Sequence, residues 1–148
     1  MESNVYDQYE RDADQYLATH GLRVPAETLP TVRETLRREI RHEADTYADK
    51  GTVPGNTSLM RICAAQLWHA GVVEDALLIH RARRTSMDAT GAIDGQLMLG
   101  AGVARTKDFL AALGTSEARE ILDDIAWLED DYDAERCATD LDDWYQTT

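Results

Sequence analysis

Between residues 29 and 47 the apolar side chains Leu29, Val32, Leu36, Ile40, Ala44 and Tyr47 recur at steps of three or four. Such spacing lines one face of an α-helix and cannot line one face of a strand, where side chains alternate with a period of two. Pro30 suits a first helical turn, where its missing N–H would have had no partner. Gly51 and Pro54 then punctuate the far end, so the spacing predicts a helix from Pro30 to Lys50. The opposite face, with Arg33, Glu34, Arg37, Arg38, Glu39, Arg41 and Glu43, is expected to be solvated.

The same period returns along the chain, interrupted by glycine. Val5, Tyr9, Ala13, Tyr16 and Leu17 form a weaker stripe that stops at Gly21. Asn56 or Thr57 can cap a helix whose inward face is Leu59, Ile62, Cys63, Leu67 and Ala70, ended by Gly71. Residues 72–84 follow with Val73, Ala76, Leu77 and His80 on one face, and the run Ala76 to Ile79 marks this as a central helix. Further helices are expected at 87–99, 103–113 and 115–130, with Thr115 or Ser116 as an N-cap and Glu117 in the first turn. Gly91 and Gly95 weaken the 87–99 assignment, or mark close helix–helix contact. The expected core includes Leu67, Leu77, Ile93, Phe109, Leu110, Ile121 and Ile125. No segment shows strand-like alternation. The fold class is therefore all-α, with six to seven antiparallel helices in a single compact bundle or short α-solenoid over residues 1–148.

A chain of 148 residues, 43% hydrophobic and 29% charged, can bury one real core. It has no apolar run long enough to cross a bilayer, and its acidic first residues lack the apolar segment of a secretory signal. Cys63 and Cys137 lie far apart; two buried free thiols in a reducing compartment are expected, with a disulfide between them as the alternative, and the default location is cytoplasmic. The net charge of −13 is uneven: residues 85–148 hold fifteen acids against four bases. That balance speaks against direct nucleic-acid binding and against an anionic membrane surface, both of which need basic patches. It suits a basic protein partner.

The stretch Ala64, Ala65, Gln66, Leu67, with Gly71 at a turn and then Glu74, Ala76, Leu77 and Ala82, resembles one helical hairpin of a tetratricopeptide-type (TPR-like) repeat across residues 64–84. The resemblance implies a surface that binds protein or peptide. No second copy recurs at the period of such arrays.

Candidate chemistry is sparse. Glu39-Ile40-Arg41-His42 has the spacing that aims a carboxylate and an imidazole at one metal, yet no second such pair exists, and no metal site is expected. Asp131, Asp133, Glu135 and Asp142 begin like a calcium loop, but Arg136 stands where the sharp turn needs glycine. Neither cysteine sits in a C-x-x-C, and phosphate-cradling glycine patterns are missing. A Cys63 couple with His69 or His80 would need a hydrogen-bonded geometry. Neither a catalytic residue nor a cofactor is expected. The basic cluster His80, Arg81, Arg83 and Arg84 suits a helix C-terminus or a salt link to the acidic C-terminal region.

Two features remain. Asp123, Asp124, Glu129, Asp130 and Asp131 gather at the end of a helix, and residues 131–148 form an acidic-aromatic segment with Trp144 and Tyr145, docked as a final helix or mobile as a tail. These seven residues are the candidate partner-binding site. The leading expectation is a non-enzymatic helical interaction module with an acidic surface, in its sharper form an immunity- or antitoxin-like protein facing a basic partner. An enzyme with a dispersed active site and a regulatory domain for a small ligand are the alternatives.

Overall fold

The computed structural model describes residues 4–48 and 53–146. They form eight α-helices: α1 Val5–His20, α2 Leu29–Tyr47, α3 Thr57–Ala70, α4 Asp75–Arg83, α5 Met87–Ala92, α6 Val103–Leu113, α7 Ser116–Leu128 and α8 Ala134–Tyr145. Two 3₁₀ segments, Ala26–Thr28 and Gly95–Leu99, join them, and no strand occurs among the described residues. The all-α class holds, with one helix more than expected. Five helices have a side-chain N-cap, at Asn56 and Thr115 as expected and at three further positions. Asn4, Asn56, Ser86, Thr115 and Asp133 each accept a hydrogen bond from the backbone N–H three residues on, which satisfies a donor that the helix leaves orphaned.

The central element is α3. From Leu59 to Trp68 it is buried on nearly every side, except at Arg61, by α1, α2, α4, α5 and the Gly95–Leu99 segment. One hydrophobic cluster gathers residues from every helix, from Ala13 on α1 to Leu141 on α8. Gly71 ends α3 in the left-handed region (φ 69°). Gly100 is required by close approach, because a Cβ there would run into the Trp68 carbonyl oxygen. The short turn from α3 through Gly71 to α4 is present at 64–84.

Several expectations need correction. The segment 87–99 is not one helix: α5 stops at Ala92, and Ile93 and Asp94 are extended. The Asp94 side chain accepts from the Gln96 N–H and starts the 3₁₀ segment instead. Gly95 does mark a close contact, since a Cβ would lie 2.9 Å from Leu128 Cδ1, whereas Gly91 faces open space. Leu77 is only half-buried; Leu78 and Ile79 take the inward positions of α4. Phe109 is likewise half-buried, while Leu67, Ile93, Leu110, Ile121 and Ile125 are buried.

The largest departure is in α2. Val32 and Leu36 are buried as expected, but Ala44 is exposed, and Glu39 and Glu43 turn inward with 5% and 2% of their surface exposed. The reason is the segment after residue 52, which returns against α2 and brings backbone donors with it. Gly55 N–H donates to Glu43 Oε1 (3.1 Å) and Asn56 N–H to Glu39 Oε1 (3.0 Å). Ser86 Oγ donates to Glu43 Oε2 (2.7 Å), and Arg38 Nε to Glu39 Oε2 (2.8 Å). Each buried carboxylate oxygen thus has a donor, the condition under which charge tolerates burial. Gly55 is needed here too, because a Cβ would strike the Glu39 carbonyl oxygen. Lys50, Gly51 and the Tyr47 side chain lie outside the described residues.

The acidic-aromatic segment docks. Its helix α8 buries Cys137 and Leu141, Tyr145 is half-buried, and Arg23 clasps Asp142 through two nitrogens (3.0 and 3.1 Å). Upstream, Trp68 Nε1 donates to the Tyr132 hydroxyl (2.9 Å), which donates to the Leu99 carbonyl (3.2 Å) and pins the link between α7 and α8. Thr147 and Thr148 lie outside the described residues.

Candidate functional site

Helix α7 buries Ala118, Ile121 and Ile125, a stripe at steps of three and four. The acids of α7 therefore fall on its flanks and outer face, and the flank nearest α4 is already occupied. Arg81 binds Glu117 through two nitrogens (3.0 and 2.7 Å), which holds the Glu117 carboxyl below its ordinary range. Buried His80 places Nε2 3.4 Å from Glu120 Oε2 and Nδ1 4.0 Å from Asp124 Oδ2. The basic cluster thus makes the salt link to the acidic region that its sequence allowed. Arg83 serves differently, donating to the Ile93 carbonyl (2.8 Å) where the chain bends between α5 and the 3₁₀ segment.

Of the five clustered acids, Asp123, Asp130 and Asp131 stand exposed, Asp124 leans toward His80, and Glu129 accepts from Lys107 Nζ (2.9 Å). Between them in sequence is a residue outside the seven candidates. Trp127 is 87% exposed on the outer face of α7. The positions seven, four and three residues before it are Glu120, Asp123 and Asp124; those three and four after it are Asp130 and Asp131. The first three share α7 with Trp127 at offsets that neighbour it along the helix surface, and the last two lie in the turn that follows Leu128. A period count sufficed to find it, because Trp127 is two places from Ile125 and so cannot share its buried face.

Trp144 and Tyr145 do not join this patch. They line a separate cleft of about 350 Å³ between α1, α3 and α8. Tyr145 is half-buried there, its hydroxyl pushed up to about 12 by burial, with Arg61 pulling the other way. Trp144 is 65% exposed and carries the Arg61 guanidinium 4.2 Å from its ring centroid, a cation–π contact. Trp144 therefore stays out of the buried face; Cys137, Leu141 and Tyr145 do most of the docking.

The remaining sequence candidates have other partners. His42 Nδ1 is 3.9 Å from Glu39 Oε1, and no cluster of three or more metal-binding side chains occurs among the described residues. Asp133 caps α8, and its first-turn neighbour Arg136 supplies the N–H. Cys63 and Cys137 are free and buried, with thiols raised to about 12 and about 11 chiefly by burial, so both are neutral near pH 7. The described partner of Cys63 is the Tyr16 hydroxyl at 3.7 Å, within a relay in which Tyr16 donates to Gln66 and Gln66 to the Gly21 carbonyl. Neither histidine completes a couple with it.

No family model, no curated protein and no solved structure matches this chain. No described helix is long and apolar enough to cross a membrane.

Proposed function

We propose that the chain is a helical interaction module that binds a basic protein through the outer face of α7. The observation that carries this reading is Trp127, an almost fully exposed indole on a helix that also carries Glu120, Asp123 and Asp124, with Asp130 and Asp131 in the turn that follows it. Leaving an indole in water forgoes its burial, and tryptophan and arginine are the residues most often found at the energetic centres of interfaces. The indole face attracts a guanidinium or ammonium, and the acids around it steer such a group in and set its register. Like charges gathered at a helix C-terminus oppose the backbone dipole, so the arrangement costs a little stability in the free protein. A partner with a compact arginine- or lysine-rich patch matches both features. An immunity- or antitoxin-like role, in which this face covers the basic site of a nuclease or toxin, is the sharper form of the same proposal. The TPR-like turn at 64–84 belongs to the supporting core rather than to this face.

The test uses a basic protein recovered on the immobilised chain from its source cells. Reversing Asp123, Asp130 and Asp131 to lysine should slow association and flatten its salt dependence, and Trp127→Ala should speed dissociation. Asp124 and Glu129 are spared because His80 and Lys107 already engage them. Unchanged rates for both variants at low salt would refute the reading.

A further inference from the structure

The cleft between α1, α3 and α8 is built differently from the α7 face and stands independently of it. Its floor is apolar, from Ala13, Leu17 and Ile62. One wall is Glu10 and Asp14, four residues apart and so on one side of α1. The other wall is Trp144 and Tyr145, with Arg61 from α3 between the two. Past Tyr145, α8 ends at Gln146, which takes a left-handed conformation (φ 55°) and closes the rim.

Arg61 is the unusual member. Arg23, Arg33 and Arg81 each clasp a carboxylate through two nitrogens. Arg61 is half-buried, yet it makes no hydrogen bond or ion pair among the described residues. Its guanidinium rests 4.2 Å from the Trp144 ring centroid and 5.6 Å from that of Tyr145. Aromatic contact fixes a guanidinium without using its N–H donors, which remain free for a planar anion. Opposite it, Glu10 accepts from Ser58 Oγ (2.7 Å), and Asp14 has no hydrogen-bond partner among the described residues. The cleft therefore offers a free cationic fork, a free carboxylate and an apolar floor within one space of about 350 Å³, within the size range of small-molecule sites.

A simple anion would be repelled by Glu10 and Asp14, and a simple cation by Arg61. A molecule carrying both charges on an apolar body satisfies every wall. We propose that this cleft binds a small apolar zwitterion, a free amino acid or a dipeptide, with its carboxylate on Arg61, its ammonium on Asp14 and Glu10, and its side chain against Leu17 and Ile62.

The test titrates the whole protein with L-leucine and with leucyl-leucine, following the Trp144 indole N–H by NMR and the heat of binding by calorimetry. The controls are 4-methylpentanoate, which has only the carboxylate, and 3-methylbutylamine, which has only the ammonium. At least one zwitterion should bind saturably, and each single-charge analogue should bind at least about tenfold more weakly, because each forgoes a charge-assisted hydrogen bond. Arg61→Gln and Asp14→Asn should weaken the zwitterion by a similar factor while circular dichroism and melting stay unchanged. Saturation by the dipeptide alone would assign the site to peptide termini, and by leucine to free amino acids. The proposal is overturned if neither zwitterion saturates by about 10 mM, a concentration weaker than millimolar affinity. It is equally overturned if a single-charge analogue binds as well as the zwitterion. The analogue comparison uses the unmodified protein, so it decides the matter even if a variant folds poorly.

Discussion

Helices α2 and α7 both carry acids at steps of three and four, and they use them in opposite ways. On α2, Glu39 and Glu43 are buried and every carboxylate oxygen meets a donor. On α7 and the turn after it, Asp123, Asp130 and Asp131 face water around an exposed indole. Both sets are carboxylates, so charge does not separate the two cases. What separates them is the neighbour: a returning backbone segment brings the N–H groups of Gly55 and Asn56 to α2, while nothing among the described residues covers the outer face of α7. Acids that meet orphaned donors hold a fold together, and acids that meet none stay in water.

The comparison breaks most visibly at Glu43. Glu43→Ala strands the Gly55 N–H and the Ser86 hydroxyl in a buried site and should cost about 2–6 kcal/mol, two lost partners at the usual penalty for each. Urea unfolding would show this as a lower midpoint at unchanged slope. Ile79→Ala on the inward side of α4 should cost a comparable 2–5 kcal/mol, roughly the range for core truncation, and clearly more than Leu77→Ala at its half-buried neighbour. Equal losses at the two positions would contradict the observed face of α4.

Acid should act on the internal contacts. His69 is lowered from its ordinary value chiefly by burial, with Arg23 adding to the effect, so the folded state resists the proton that the unfolded chain accepts. Stability should therefore fall as pH drops below about 6.5, the unperturbed histidine value. Glu117, held low by Arg81, contributes stability that is present above its ordinary value of 4.5 and lost as pH falls through its lower folded value. Arg81→Ala should flatten the acid limb, and His69→Gln the limb near neutrality, in melting curves taken across pH. The smallest effect belongs to Asp123→Asn, Asp130→Asn and Asp131→Asn together. Stability should stay within about 0.5 kcal/mol or rise, because repulsion at a helix C-terminus is relieved.

Much of the architecture could be read from the chain. The helices at 5–20, 57–70, 103–113 and 116–128 follow the apolar period and its glycine stops, and residues that cap helices occupy five of their starts. The splitting of 87–99 was not legible, because Asp94 competes for local N–H groups in a way that periodicity ignores. Burial of Glu39 and Glu43 was hidden for another reason: their donors come from residues twelve and seventeen places on. Of the candidate site, the open acids Asp123, Asp130 and Asp131 were legible, whereas the separation of Trp144 and Tyr145 from them depends on how α8 docks against α1 and α3. Trp127 was within reach of the same helical count and passed unnoticed among acids.

The most direct test of the α7 face follows the indole N–H signals of Trp68, Trp127 and Trp144 by ¹⁵N–¹H NMR while a deca-arginine peptide is added at low salt. Trp127 should shift first and most, and Trp68, whose indole donates to the Tyr132 hydroxyl, should stay in place. The Trp127 shift should shrink with added salt and in the Asp123→Asn, Asp130→Asn, Asp131→Asn variant. A Trp127 signal that does not move, or that moves equally in that variant, would contradict a basic-partner role for this face.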